Sequence, residues 1–492
     1  MVLFVSSVVV AVPSTSFIPP TPANGATTTN KNVEIKVDVT NAADLGNLSW
    51  GWNGTNASFY DKSLLLMLNF DNVSAVGDDY VGAYPQLFDA SYWSESGLVA
   101  FTASAVNDGV LDSAFHTDSS PAGSYLLFDG GATNYSFTSV SITFSGSVYA
   151  TWNVQYSDDN SAWTTVYTGA GGHPIAVGTY SYSWSPPGEH RYWRLYKTDT
   201  AGGGGWHEEV QFSGSKATDL SSYGNNVVMV GNPSLNASGR FGSALSFNGI
   251  NNYIDMLNQS NFAFTRSQPF TISAWVKTGA ANGDIFSKGS LWQPGYDLLL
   301  INSNLGFYID GTFSGGIIAI GTAAPNDNQW HHITATYDGS LVPSGQKIYI
   351  DGTDSSAATI DNGVLSVDPV NNYDALIGYS PGWNYYLNGS IDEVRVWNRS
   401  LSASQVKQQY LSNLRKYDSD KWEFYSDQTN LSVGTTYTYF ATAADTSGNT
   451  NSTETRTITI RALMNAVPEF GTWALLLALG LVAGGIAMMR KK

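Results

Sequence analysis

At 492 residues with no cysteine, the chain has room for about three domains but for no disulfide, thiolate metal site or cysteine nucleophile. Aromatics at 13%, 49 glycines and only 13% charged residues fit β-sandwiches rather than helical bundles or disorder. A net charge of −17 excludes nucleic acid as a partner, because phosphate binding needs a basic face.

Residues 1–18 form a short apolar run without a basic start or a small-residue cleavage site, so they read as a partial signal peptide or as the tail of an upstream strand. Strict alternation over 33–39 predicts a half-buried strand, and Trp50 and Trp52 sit on the next one. No closing strands follow until 422–425, 435–443 and 455–460. Residues 64–68 are all apolar and lead through Asn69-Phe70 to Asp71. They look like the first strand of a sandwich, and that resemblance implies a turn such as 219–226 close behind it, where about 150 residues intervene instead. Between them, residues 79–214 carry their own strands around Tyr125, Trp152, Trp193 and Val210. From Phe241 onward, alternating runs around Leu245, Ile272, Ile333 and Ile348 are separated by Asn248-Gly249, Asp338-Gly339 and Asp351-Gly352, which argues antiparallel hairpins. Ser402 is placed to cap a short helix with Val406, Tyr410, Leu411 and Leu414 on one face. An apolar run at 472–489, preceded by Val467-Pro468-Glu469-Phe470-Gly471 and closed by Arg490-Lys491-Lys492, predicts a C-terminal transmembrane helix.

Several motifs resemble known families. Arg240-Phe241-Gly242, Leu245-Ser246-Phe247-Asn248-Gly249, Ala274-Trp275-Val276, Trp330-His331-His332-Ile333, Tyr349-Ile350-Asp351-Gly352 and Ile391-Asp392-Glu393-Val394-Arg395-Val396-Trp397 together resemble the laminin-G-like, concanavalin A-type sandwich family. Ala105-Val106-Asn107-Asp108-Gly109, Phe115-His116-Thr117, Trp152-Asn153-Val154-Gln155-Tyr156-Ser157-Asp158-Asp159 and Arg191-Tyr192-Trp193-Arg194-Leu195 resemble the discoidin-like (coagulation factor 5/8 type C) domains. The strands around Trp50 and around Tyr437 and Tyr439 look like the two halves of an immunoglobulin-like or fibronectin-like module, and the tail is similar to PEF-CTERM sorting signals of archaeal surface proteins. Half a sandwich cannot cover a core, so the halves pair. The expected fold is all-β, with nested β-sandwiches (jelly rolls) and one transmembrane helix. The outer module takes 19–61 and 417–462, the laminin-G-like sandwich 62–78 and 215–416, the discoidin-like insert 79–214, and the sorting tail 466–492.

Concanavalin-type glycosidases need carboxylates spaced as Glu-x-Asp-x-(x)-Glu on one strand face. None of the nine glutamates here falls in that spacing, and adjacent Asp392 and Glu393 are expected to point to opposite faces. Gly378-Tyr379-Ser380-Pro381-Gly382 matches a nucleophile-elbow pattern, but Pro381 in an Asn/Gly-rich loop offers no strand-to-helix turn. His331 and His332 have no second pair spaced for zinc. The discoidin-like resemblance implies calcium held by Asp108, Asp112, Ser113 and Glu209, and the laminin-G-like one implies Asn248 and Asp392. Trp292, Trp383, Tyr385 and Tyr386 are loop aromatics suited to stacking on sugar rings or simply to packing. The resemblances imply a non-catalytic carbohydrate-binding or adhesion protein at an archaeal-type cell surface. It would be extracellular, anchored in the membrane through its C-terminus, partnered by glycans or envelope polymers and processed by an archaeosortase-type enzyme. A ligand-free envelope spacer and a polysaccharide hydrolase are the alternatives.

Overall fold

The computed structural model describes residues 12–463 except 72–81, 84–92, 97, 99–100, 104–105, 107–114, 117–120, 131–134, 136, 138, 145–150, 172–177, 185–189, 201–205, 214, 217–218, 226, 232, 257–259, 290–293, 311–315 and 358–362. The 472–489 run lies outside the described residues, and among these no helix is long and apolar enough to cross a membrane. Three pairs of β-sheets dominate.

The outer pair holds the first and last described strands. Ser14–Ile18, Val33–Thr40, Lys421–Gln428 and Ser412–Asp418 form one sheet, in that order. Ala26–Thr28, Arg456–Ile460, Thr436–Asp445, Leu45–Trp52 and Thr55–Tyr60 form the sheet facing it. The alternation over Val33–Thr40 puts Val33, Ile35, Val37 and Val39 inside, against Trp50, Phe424 and Tyr439. Val33–Thr40 pairs directly with Lys421–Gln428, while Thr436–Asp445 pairs with Leu45–Trp52 in the opposite sheet.

The central sandwich packs a nine-stranded sheet on an eight-stranded one. Leu64–Leu68 pairs with the C-terminal half of Asn388–Trp397, whose N-terminal half pairs with Ala244–Asn248. All five residues of Leu64–Leu68 are buried: Leu65, Leu66 and Leu68 enter the central core, whereas Leu64 and Met67 enter the outer one. An apolar run without alternation is what a strand covered on both faces requires. Trp397, Leu401 and Val406 also enter the outer core, so these two sandwiches are fused through shared elements.

Residues 93–213 supply a five-stranded and a four-stranded sheet around Trp93, Phe128, Phe137, Trp152, Trp193 and Phe212. On either side of this unit, Gly82–Ala83 and Ser215–Lys216 pair antiparallel, which brings its entry and exit side by side. His207 belongs to its core, edge-on to Phe144 at 4.7 Å and to Trp152 at 5.3 Å.

The helix Ala403–Leu411 starts at Ser402 through a capping box, with Gln405 N donating to Ser402 Oγ at 3.3 Å and Ser402 N to Gln405 Oε1 at 3.0 Å. It ends sooner than the apolar spacing implies. Ser412 is extended, and Leu414 belongs to Ser412–Asp418, where pairing with Lys421–Gln428 outcompetes another helical turn.

Candidate functional site

One face of the nine-stranded sheet is buried in the sandwich; the other carries the aromatic residues of interest. On Gly295–Ile301, Tyr296, Leu298 and Leu300 point into the core, so Asp297 points away from it. On Asn304–Asp310, Leu305, Phe307 and Ile309 do the same, which turns Tyr308 and Asp310 outward. A bulge between Asp284 and Phe286 lets Ile285 and Phe286 both enter the core and leaves Asp284 and Ser287 on the outer face.

A short hairpin, Tyr379–Ser380 paired with Tyr385–Tyr386, is bonded to this face. Ser287 Oγ donates to the Tyr379 carbonyl at 2.8 Å, and Ser380 Oγ donates to Asp297 Oδ1 at 2.9 Å. The approach demands glycine at 378, where φ is +85° and a Cβ would meet the Phe247 ring at 2.9 Å; Asn384 at φ +52° turns the hairpin. Ser380 is buried and tied to Asp297, which sets the Gly-x-Ser-x-Gly match aside as a nucleophile elbow.

Six half-buried rings surround this hairpin. Tyr379 and Tyr386 stack at 4.0 Å, with Tyr253 at 5.2 Å from Tyr379. Trp383 stacks on Tyr385 at 6.2 Å and meets Tyr308 edge-on at 5.5 Å. Burial and the neighbouring carboxyls push the Tyr253 phenol up to about 12. Burial raises the Asp297 carboxyl to about 7, and it raises Asp284, fully buried with both oxygens unpartnered, well above the usual range. The sheet face below the hairpin therefore offers polar groups that lose charge readily as pH falls below about 7, beside aromatic rings.

Of the aromatic residues singled out in the sequence, Trp383, Tyr385 and Tyr386 come together here, whereas Trp292 lies outside the described residues. Tyr253, Tyr308, Tyr379 and Asp297 were missed. Outward phase was legible for Tyr308 and Asp297 from the apolar alternation on either side, but the partner hairpin was not.

Asp108, Asp112 and Ser113 lie outside the described residues; Glu209 lies on Trp206–Ser213, across from Thr143. Asn248 and Asp392 do not meet. Asn248 pairs with Asn388, four residues and therefore about 13 Å along the strand from Asp392. Asn248 Oδ1 accepts from the amides of Ile250, Asn251 and Asn252, while Asp392 Oδ2 accepts from those of Arg240 and Phe241. Both oxygens thus serve turns, and this pair does not fit a calcium ion. Among the described residues no group of three or more His, Asp or Glu is placed to hold a metal. His331 bridges Asp351 at 2.9 Å and Asp327 at 3.1 Å, and buried His332 packs on Trp275.

Asp392 and Glu393 depart from simple alternation. A bulge opposite Ser273 and Trp275, with Glu393 at φ +51°, puts Ile391 and Val394 in the core and both carboxyls on the other face. Neither reaches solvent: Asp392 is 0% and Glu393 3% exposed. Burial drives both upward, Glu393 to about 8, even though Arg395 sits 2.9 Å away.

Two family descriptions match parts of the chain: the concanavalin A-like lectin/glucanases superfamily over residues 248–407 and the F5/8 type C domain over residues 89–211. No curated protein matches. Among solved structures, the chain is similar to the binding domain of Paraclostridial Mosquitocidal Protein 1, at 20% identity over 42% of this chain and 52% of that one, with a TM-score of 0.33. It is similar to a botulinum neurotoxin type C structure whose cell entry is described as dependent on two ganglioside molecules, at 16% identity over 39% and 48%, TM-score 0.32. The binding domain of botulinum neurotoxin DC in complex with rat synaptotagmin II matches at 16% identity over 39% and 48%, TM-score 0.32. The chain thus spans about half the length of these structures.

Proposed function

We propose that this chain is a non-catalytic carbohydrate-binding protein of an extracellular surface, and that it holds sugar on the rings around the 379–386 hairpin. The observation that carries this is the group of six half-buried rings beside the half-buried Asp297. Aromatic faces stack on the apolar hydrogens of a sugar ring, and carboxyl or hydroxyl groups beside them complete its hydrogen bonds. The two matched family descriptions agree with a binding role, and the botulinum relative is described with gangliosides. A binding protein rather than a hydrolase also suits the sealed Asp392 and Glu393, which no substrate can touch.

A glycan array followed by titration of the best ligand tests the site. Trp383→Ala with Tyr385→Ala should weaken binding by about tenfold or more, each stacked ring contributing about 1 kcal/mol, at an unchanged melting midpoint. Full retention of binding by the double variant would move the reading to an envelope spacer.

Three further parts of the reading rest on sequence. The outer sandwich is taken as immunoglobulin-like. The 466–492 tail is taken as a sorting signal that attaches an archaeal-type surface protein to the membrane after cleavage by an archaeosortase-type enzyme; an intact Lys492 on the mature surface protein would contradict the cleavage. Calcium is taken to sit in the insert, on Asp108, Asp112, Ser113 and Glu209. Calcium should then raise the melting midpoint of the wild-type insert and leave Glu209→Ala unmoved; equal melting of the wild type with and without chelator removes the ion.

A further inference from the structure

A second cleft, of about 360 Å³, opens where the outer sandwich meets the 239–243 loop of the central one. It shares no residue with the aromatic hairpin, and its chemistry is different. Its floor is the outer face of the sheet that contains Val33–Thr40, Lys421–Gln428 and Ser412–Asp418. There Lys36, Tyr425 and Asn413 stand side by side across three strands, with Glu423 opposite Arg415 one step further along. Its wall is Arg240-Phe241-Gly242. The loop is held against Asp71, just past Leu64–Leu68: Ser243 N donates to Asp71 Oδ1 at 3.0 Å, and Gly242 is at φ +55°, where a Cβ would collide with the same oxygen.

In a chain of net charge −17, this cleft reverses the sign. Lys36, Arg240 and Arg415 face it against one lining carboxylate, Glu423, which Arg415 approaches to 3.2 Å and Lys36 to 4.0 Å. Glu34, at the margin, is 3.9 Å from Lys36. Arg240 has no carboxylate partner among the described residues; its guanidinium lies over the Phe241 ring at 4.7 Å and the Trp275 ring at 4.5 Å. Phe241 and Tyr425 meet at 6.0 Å and 64°, so an aromatic corner stands beside the cations. An oxyanion alone would need only the cations. A ring face for stacking and a carboxylate able to accept hydroxyl protons ask for a polyhydroxylated ring as well. The volume lies at the small end of the range of small-molecule sites.

We infer that this cleft binds a carboxylated sugar ring, its carboxylate on Arg240 and Arg415, a ring face on Tyr425 and a hydroxyl on Glu423. The test is titration of the full chain, at low ionic strength, with D-glucuronate, D-glucose and inorganic sulfate. Saturable binding of glucuronate, with glucose and sulfate each weaker by about tenfold or more, supports the assignment. Arg240→Ala should weaken glucuronate by about tenfold, Arg240→Lys by less, and Arg415→Gln, on an exposed side chain, independently of any change in the loop. All three titrations are repeated in Trp383→Ala, which weakens the hairpin site, so that the binding that remains reads this cleft. No saturation with glucuronate, equal binding of glucose, equal binding of sulfate (an anion site without sugar recognition), an unaffected Arg240→Ala, or loss of binding in Trp383→Ala would each overturn it.

Discussion

Arg395→Leu is expected to destabilise the chain by about 3–5 kcal/mol, because it strips the buried Glu393, Gln409 and Asn413 of their common donor. Arg395 is 3% exposed and sits on the strand Asn388–Trp397, where the central and outer sandwiches meet. Its Nη2 donates to Glu393 Oε2 at 2.9 Å and its Nη1 to Gln409 Oε1 of the helix at 3.0 Å. Asn413, on the edge strand of the outer sheet, accepts from Nη2 and donates to Glu393 Oε1 at 2.7 Å. One ionic cluster therefore ties a central strand, the helix and an outer strand together. Removing the guanidinium leaves Glu393 buried beside Asp392 with Asn413 alone to satisfy it. The double variant Glu393→Gln with Arg395→Leu should regain part of the loss, because the acid that the guanidinium satisfied is gone as well. Denaturant midpoints check both. A cost below about 1 kcal/mol for Arg395→Leu would mean that apolar packing, not this cluster, holds the junction.

The same strand shows where sequence reading stops. Alternation over 33–39 and 244–247 was legible because each strand has one face on a core, and period two follows directly. The strand at 64–68 was placed by resemblance to the first strand of a sandwich; that two cores cover it, one on each face, was not read from its apolar run. The bulge at Glu393 was not legible, since an extra residue is defined only against the partner strand Phe270–Thr278 and leaves no composition signal of its own. Asn248 and Asp392 were set together by resemblance, but register sends one to a turn and the other beneath the 240–241 amides. In the candidate site, three loop aromatics could be picked from the sequence because they cluster within four residues. Tyr253, from another strand, joins them only through long-range pairing.

Asp297→Asn is expected to stabilise the chain at alkaline pH by up to about 4 kcal/mol, and to do little in acid. The folded carboxyl is raised from 3.8 to about 7, first by burial and then by Asp310, against the opposing bond from Ser380 Oγ. A raised value means that the fold prefers the protonated acid. Its contribution is thus complete below about pH 4, where the unfolded acid is also protonated, and is lost as pH rises through about 7. Part of the Asp297 surface stays open to solvent, which makes this magnitude an upper bound. Asparagine has nearly the shape of the neutral acid and still accepts from Ser380 Oγ, so the hairpin stays bonded while the charge never forms. Asp284 is raised in the same direction, by burial first and by Asp297 second, so the substitution also eases its ionisation. The difference between wild type and variant therefore reads Asp297 together with its coupling to Asp284. Chemical denaturation from pH 4 to 9 should show the two curves diverging between about pH 4 and 7 and running parallel above, with the wild type below. Parallel curves at every pH would mean that Asp297 is ionised throughout, and that the ring-lined face carries a negative charge toward any sugar it meets.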